Sequence, residues 1–135
     1  VKESVSMPVV ANGDILTPQQ AKAVLDVTGC DAVMIGRAAQ GKPWLPSQID
    51  QYLEFGTMKA EPNLDEIREL LSSHVRALHE FYGQHLGLRI ARKHVGWTLD
   101  QVAGSLVLKQ RFNRAESAAV QFELIDQLGT LQTAA

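Results

Sequence analysis

The chain has 135 residues, 45% of them apolar and 21% charged, with a formal net charge of −2 at pH 7. This is the composition of a globular protein, and it contains neither an apolar run long enough to span a membrane nor a signal-peptide pattern. Its one cysteine, Cys30, excludes an internal disulfide and a thiolate metal cluster and fits a reducing, cytoplasmic compartment.

The chain opens on Val1 and reads as the C-terminal part of a longer protein. Residues 5–10 lead into a strand, with Met7, Val9 and Val10 apolar, and Asn12-Gly13-Asp14 breaks it. Thr17 is a good N-cap with Pro18 at the first helical position. Ala21, Val24, Leu25 and Thr28 keep helical spacing until Gly29 ends the segment. Residues 32–35 form a second apolar run without alternation, as expected of a parallel strand covered on both faces. Gly36-Arg37 closes it, and residues 38–40 suit a short helical turn.

After Gly41-Lys42-Pro43 the strand signal fades. Trp44, Leu45, Ile49, Tyr52 and Leu53 give a helix over residues 44–55. Asn63 with Glu66 three residues on resembles a capping box. Leu64, Ile67, Leu70, Leu71, His74, Val75, Leu78 and Phe81 then form an apolar stripe up to Gly83. Further helices are expected at about 86–102, 105–114 and 117–128, with fraying after Gly129. The fold class is mainly α: about forty residues of α/β followed by a bundle of four to five helices.

Two strand–glycine turns one helix apart put their C-termini at a common edge, where parallel α/β folds bind ligands. Backbone N–H groups at Gly13 and Gly36 suit a phosphate, and Arg37 adds a bidentate cationic contact. Asn12 and Asp14 either contact that ligand or stabilise the turn. Further on, Arg89, Arg92, Lys93 and Gly96 form a stripe at three-to-four spacing. Lys109, Arg111 and Arg114 continue the positive charge, against the single acid Asp100 in residues 85–114. A helical face of this kind suits an anionic polymer read through its phosphates. His94 and Trp97 lie beside it, and Trp97 equally suits a core anchor. His74 falls on the apolar stripe as a core histidine. The spacing of His74, His79 and His85 makes no metal site.

Three runs in order carry a family resemblance. They are Val9-Val10-Ala11-Asn12-Gly13-Asp14-Ile15, then Ala32-Val33-Met34-Ile35-Gly36-Arg37-Ala38-Ala39-Gln40-Gly41-Lys42-Pro43-Trp44, then Arg89-Ile90-Ala91-Arg92-Lys93-His94-Val95-Gly96-Trp97. They resemble the C-terminal part of bacterial tRNA-dihydrouridine synthases, most closely the B-type branch. The resemblance implies a C-terminal helical bundle preceded by the last β/α units of a TIM (β/α)8 barrel. Residues 1–42 would be the incomplete barrel, 43–62 a connecting helix and loop, and 63–135 the tRNA-binding domain. It implies FMN as cofactor, NADPH as reductant and tRNA as partner, with reduction of the C5–C6 bond of selected uridines. Asn12, Gly13, Asp14, Gly36 and Arg37 would contact FMN. Arg89, Arg92, Lys93, His94, Lys109, Arg111 and Arg114 would contact RNA. The family's acid is a cysteine from earlier in the barrel. Cys30 sits at the wrong end of its strand for that role, so no catalytic residue is expected here and the chain alone should be inactive. Two rivals are another flavin barrel reducing a small molecule and a non-enzymatic helical nucleic-acid-binding regulator. Two strands without barrel partners also leave open edges and an uncovered apolar face. Residues 1–42 are therefore expected to be disordered, re-packed on the bundle or exchanged between chains.

Overall fold

The structure is a computed structural model and describes residues 2–131. The chain is mainly helical and divides into two compact units, Val1–Ala60 and Glu61–Ala135.

In the first unit, β1 (Val10–Asn12) and β2 (Ala32–Met34) pair in parallel with register Val10↔Ala32, Ala11↔Val33 and Asn12↔Met34. The ladder starts later than residues 5–10 suggest, because Pro8 has no N–H to give it. It is extended at its start by Asp31, whose carboxylate accepts from Lys2 Nζ at 2.6 Å and Val9 N at 2.7 Å. The Lys2 ammonium, with the Val9 amide behind it, holds that carboxyl below the usual carboxylate range.

α1 (Pro18–Thr28) runs between the strands. Thr17 accepts from Gln20 N, Pro18 opens the helix, and Gly29 closes it at φ 63°. α2 (Leu45–Phe55) packs on α1 and ends at Gly56, φ 68°. Ile15, Ala21, Leu45 and Ile49 form the core, with Val24, Val33, Ile35 and Ala38 against it. Double-sided burial of the strands is not what forms. Val10 is 55% and Met34 50% exposed, while Ala11 and Val33 are half-buried. The core meets only one face, so the side chains alternate between core and solvent. Residues 2–42 keep the strand–helix–strand arrangement.

The second unit starts at the expected capping box. Asn63 N donates to Glu66 Oε2 at 2.8 Å, and Glu66 N donates to Asn63 Oδ1 at 3.0 Å. The following helical stretch, α3 (Leu64–Leu99), is broken at Gly83, φ 73° and ψ 173°. This is backbone that essentially only glycine adopts. A straight helix would hold residues 74 and 94 about 30 Å apart. Instead the His74 and His94 rings lie 4.9 Å apart. α3 is therefore a hairpin of two antiparallel arms, residues 64–82 and 84–99. The arms touch backbone to backbone near the turn: a Cβ on Gly87 would sit 3.0 Å from His79 Cα.

α4 (Leu106–Arg114) and α5 (Ala118–Asp126) pack on the hairpin, and a 3-10 turn (Gln127–Thr130) follows. Leu71, Val95, Leu99, Leu108, Phe112, Leu124, Ile125 and Leu128 close around a space with no room for a water molecule. Gln121, fully buried, ties three segments. Its Oε1 lies 2.9 Å from His79 Nε2, and its Nε2 donates to Leu88 O at 3.2 Å. Of the stretch expected to fray, residues 132–135 lie outside the described residues.

Candidate functional site

The first unit forms a concavity of about 340 Å3 at the C-terminal edge of β1 and β2. It is lined by all five residues singled out from the sequence, Asn12, Gly13, Asp14, Gly36 and Arg37, together with Met34. The turn is built by Gly13 at φ 156° and Asp14 at φ 35°, the one non-glycine residue with positive φ among the described residues. Aspartate tolerates that conformation better than most side chains. A Cβ on either Gly13 or Gly36 would meet nothing within 4 Å, so the backbone lies open to a ligand. Arg37 Nη2 donates to Asp14 Oδ1 at 2.5 Å, with the side chains 80% and 73% exposed. An ion pair so exposed contributes about 0.2–1 kcal/mol, less than a bidentate arginine–phosphate contact. The helical turn after Gly36, Arg37–Ala39, is only three residues long. It sums too few peptide dipoles to attract an anion appreciably. Any anion affinity here therefore rests on Arg37 and on amide groups.

The second unit separates the seven cationic-face residues into different roles. Arg89 is exposed, and its guanidinium has no partner among the described residues. Arg114 is also exposed and unpaired among them. Lys93 is exposed, with Nζ 4.9 Å from the centroid of the Trp97 ring. Arg111 Nη1 donates to Gln127 Oε1 at 2.7 Å and stays exposed. Lys109 Nζ is paired with Asp100 Oδ1 at 2.5 Å. Arg92 turns inward: it is half-buried, its Nη2 donates to Ala115 O at 2.9 Å, and its Nε is buried without a partner among the described residues. The stripe Arg89–Arg92–Lys93–Gly96 is thus not one outward face. Position 92 follows buried Ala91 and precedes buried Val95 by three, which places it at the seam with α4 and α5. Gly96 is buried, with Lys109 Cε 3.4 Å from where its Cβ would be.

His94 is half-buried, edge-to-face with His74 and with Trp97, whose centroid is 5.3 Å away. Burial, and then the neighbouring His74 and Lys93, push its pKa below 6.5. A histidine with a lowered folded pKa binds its proton more weakly folded than unfolded, so its contribution to stability falls as pH drops below about 6.5. The urea midpoint should decrease between pH 7.5 and 5.5. His94→Gln should reduce that decrease, and an unchanged pH dependence in the variant would contradict the assignment.

Among the described residues no His/Cys/Asp/Glu group suited to a metal is present, and no helix is long and apolar enough to cross a membrane. Cys30 is half-buried and unpaired, at the start of β2 and away from the cradle. Gln121 has no signature in the sequence. A lone glutamine in an apolar helix carries no pattern until its partners on both hairpin arms are seen.

A parallel strand pair ending in a glycine-lined cradle, followed by an all-helical bundle with free arginines, defines an α/β piece joined to a helical module. The family model described as Dihydrouridine synthase matches residues 1–134, and the chain belongs to that family. It is 50% identical over 126 residues to tRNA-dihydrouridine synthase B of Vibrio vulnificus strain CMCP6. It is 51% identical over the same length to the proteins of that name from Salmonella typhimurium and Escherichia coli K12. Each match covers 93% of this chain and 39% of the relative. The chain thus spans about two fifths of the length of these curated relatives. The resemblance drawn from the three sequence runs, B-type branch included, is correct.

Proposed function

We propose that this chain is the C-terminal part of an FMN-dependent enzyme that reduces the C5–C6 bond of specific uridines in tRNA with NADPH in the cytoplasm. The observation that carries this reading is half-identity over nearly the whole chain to proteins named for tRNA dihydrouridine synthesis. Residues 1–42 are the last part of the barrel, residues 43–62 the connection and residues 63–135 the tRNA-binding domain. Exchange of the open-edged segment 1–42 between copies of the isolated chain is part of the same reading.

The cradle fits the phosphate end of FMN. Its glycines leave the backbone accessible, and Arg37 can leave Asp14 for a phosphate. Asp14 and Asn12 are then placed to accept from, or donate to, ribityl hydroxyls. When bound, the flavin supplies the hydride for the reduction, while the uracil is turned out of its stack to reach it. On the bundle, Arg89 and Arg114 meet phosphates first, followed by Lys93 and Arg111. Lys109, Arg92 and His94 hold the surface that presents them.

Transcribed tRNA incubated with NADPH and the full-length enzyme should gain dihydrouridine, and the 135-residue chain alone should produce none. Turnover by the chain alone, or a full-length enzyme without activity on tRNA, would contradict the proposal. Family membership already weighs against the regulator, and a full-length enzyme acting on a small molecule but not on tRNA would favour the other rival.

A further inference from the structure

The hairpin tip carries an aromatic pair that the bundle leaves uncovered. The apolar stripe of the first arm places Phe81 with the core, yet Phe81 is 80% exposed, and its neighbours Tyr82 and Leu86 are 43% and 44% exposed. The cause is the turn. The first arm stops at Gly83, and the second starts back at once, so no described residue folds over the last turn. The Phe81 and Tyr82 rings meet edge to face, centroids 4.8 Å apart at 78°. An edge-to-face pair leaves ring faces free.

Charge around the tip favours an anionic partner. Residues 84–93 contain Arg89, Arg92 and Lys93 and no acid, and Glu80 is the one acid in residues 77–99. Arg89 stands one helical turn beyond Leu86, exposed and unpaired among the described residues. Size argues against a folded protein partner. Three side chains offer a few hundred Å2 at most, whereas a stable protein interface takes about 800 Å2 from each side. One ring face is sufficient for a nucleobase.

We infer that Phe81 and Tyr82 form a stacking platform for an unpaired nucleobase of tRNA, with Arg89 on the adjoining phosphate. This rests on the tRNA-binding reading above and adds a contact of a different kind. It requires an unpaired base, because paired bases in a duplex do not offer their faces.

The test is tRNA affinity of the 135-residue chain as a function of salt. Phe81→Ala and Tyr82→Ala should each weaken binding about five-fold or more, with the salt slope unchanged because no phosphate contact is lost. Arg89→Ala should instead make the slope shallower. Phe81→Trp should restore affinity, and its added fluorescence should be quenched on tRNA addition. The loss should appear with a single-stranded 12-mer and not with a 12-base-pair blunt duplex. Since Phe81 is largely exposed, its variants should keep the wild-type urea midpoint. Full affinity in both alanine variants alongside weakened Arg89→Ala would overturn the inference while leaving tRNA binding intact. So would variants that keep RNA affinity but lose self-association or flavin loading of the full-length enzyme, because the tip would then be a protein contact. Absence of tRNA binding by the wild-type chain would remove the parent reading and the platform together.

Discussion

Phe112→Ala should unfold the helical unit at moderate urea concentrations. Phe112 is 1% exposed and lies where α4 meets the hairpin and α5. The surrounding side chains leave no room for water, so truncation creates a cavity that the neighbours fill only in part. Removing a buried phenylalanine costs about 3–5 kcal/mol. Small domains have a total stability of about 5–15 kcal/mol, and a unit of this length belongs at the low end. The urea midpoint followed by helical circular dichroism should drop by about half or more. Val107→Ala on the same helix, 65% exposed, should stay within about 0.5 kcal/mol of wild type. Equal effects of the two substitutions would show that α4 does not pack as described.

Gly36→Asp should strip flavin from the full-length enzyme while leaving the fold intact. A Cβ at position 36 meets nothing within 4 Å, so the side chain has space. Its carboxylate would join Asp14 in the cradle, and Arg37 would face two acids in place of one. Two like charges at 4 Å repel by about 4 kcal/mol in a partly solvated site, so flavin affinity should fall by about a hundred-fold or more. Gly36→Ala adds bulk without charge and should retain most of the flavin. Absorbance near 450 nm against protein concentration reads both. A stoichiometrically yellow Gly36→Asp enzyme would show that the phosphate is held elsewhere.

Local signals were legible in the sequence wherever a single residue type fixes the backbone. Thr17 with Pro18, Gly29, and Asn63 with Glu66 act within one turn of chain, and each cap forms as read. The cradle was legible for the same reason: two glycine turns, one helix apart, converge once the strands pair in register. What depends on distant neighbours was not legible. Strand burial follows from what covers each face, so the continuous apolar run of residues 32–35 suits burial on both sides, and the open face follows only from the missing barrel partners. Helical spacing ranks Arg89 and Arg92 equally. Only the packing of α4 and α5 turns Arg92 to the Ala115 carbonyl and leaves Arg89 free. Phe81 sits on the stripe by periodicity and outside the core by the hairpin's length. Gly83 was visible as a stop, but not as a reversal that brings His74 to His94.

The salt dependence of tRNA binding by the 135-residue chain tests the central claim most directly. Arg89, Lys93, Arg111 and Arg114 are the outward cations of this face, so on the proposed reading up to four phosphates would be neutralised. At about 0.7–0.9 in log–log slope per phosphate, the wild-type slope should approach −3 between 50 and 200 mM KCl. Arg89→Ala and Arg114→Ala should each flatten it by one such step. A slope near zero, or one indifferent to both substitutions, would mean that this bundle does not hold RNA through the face described.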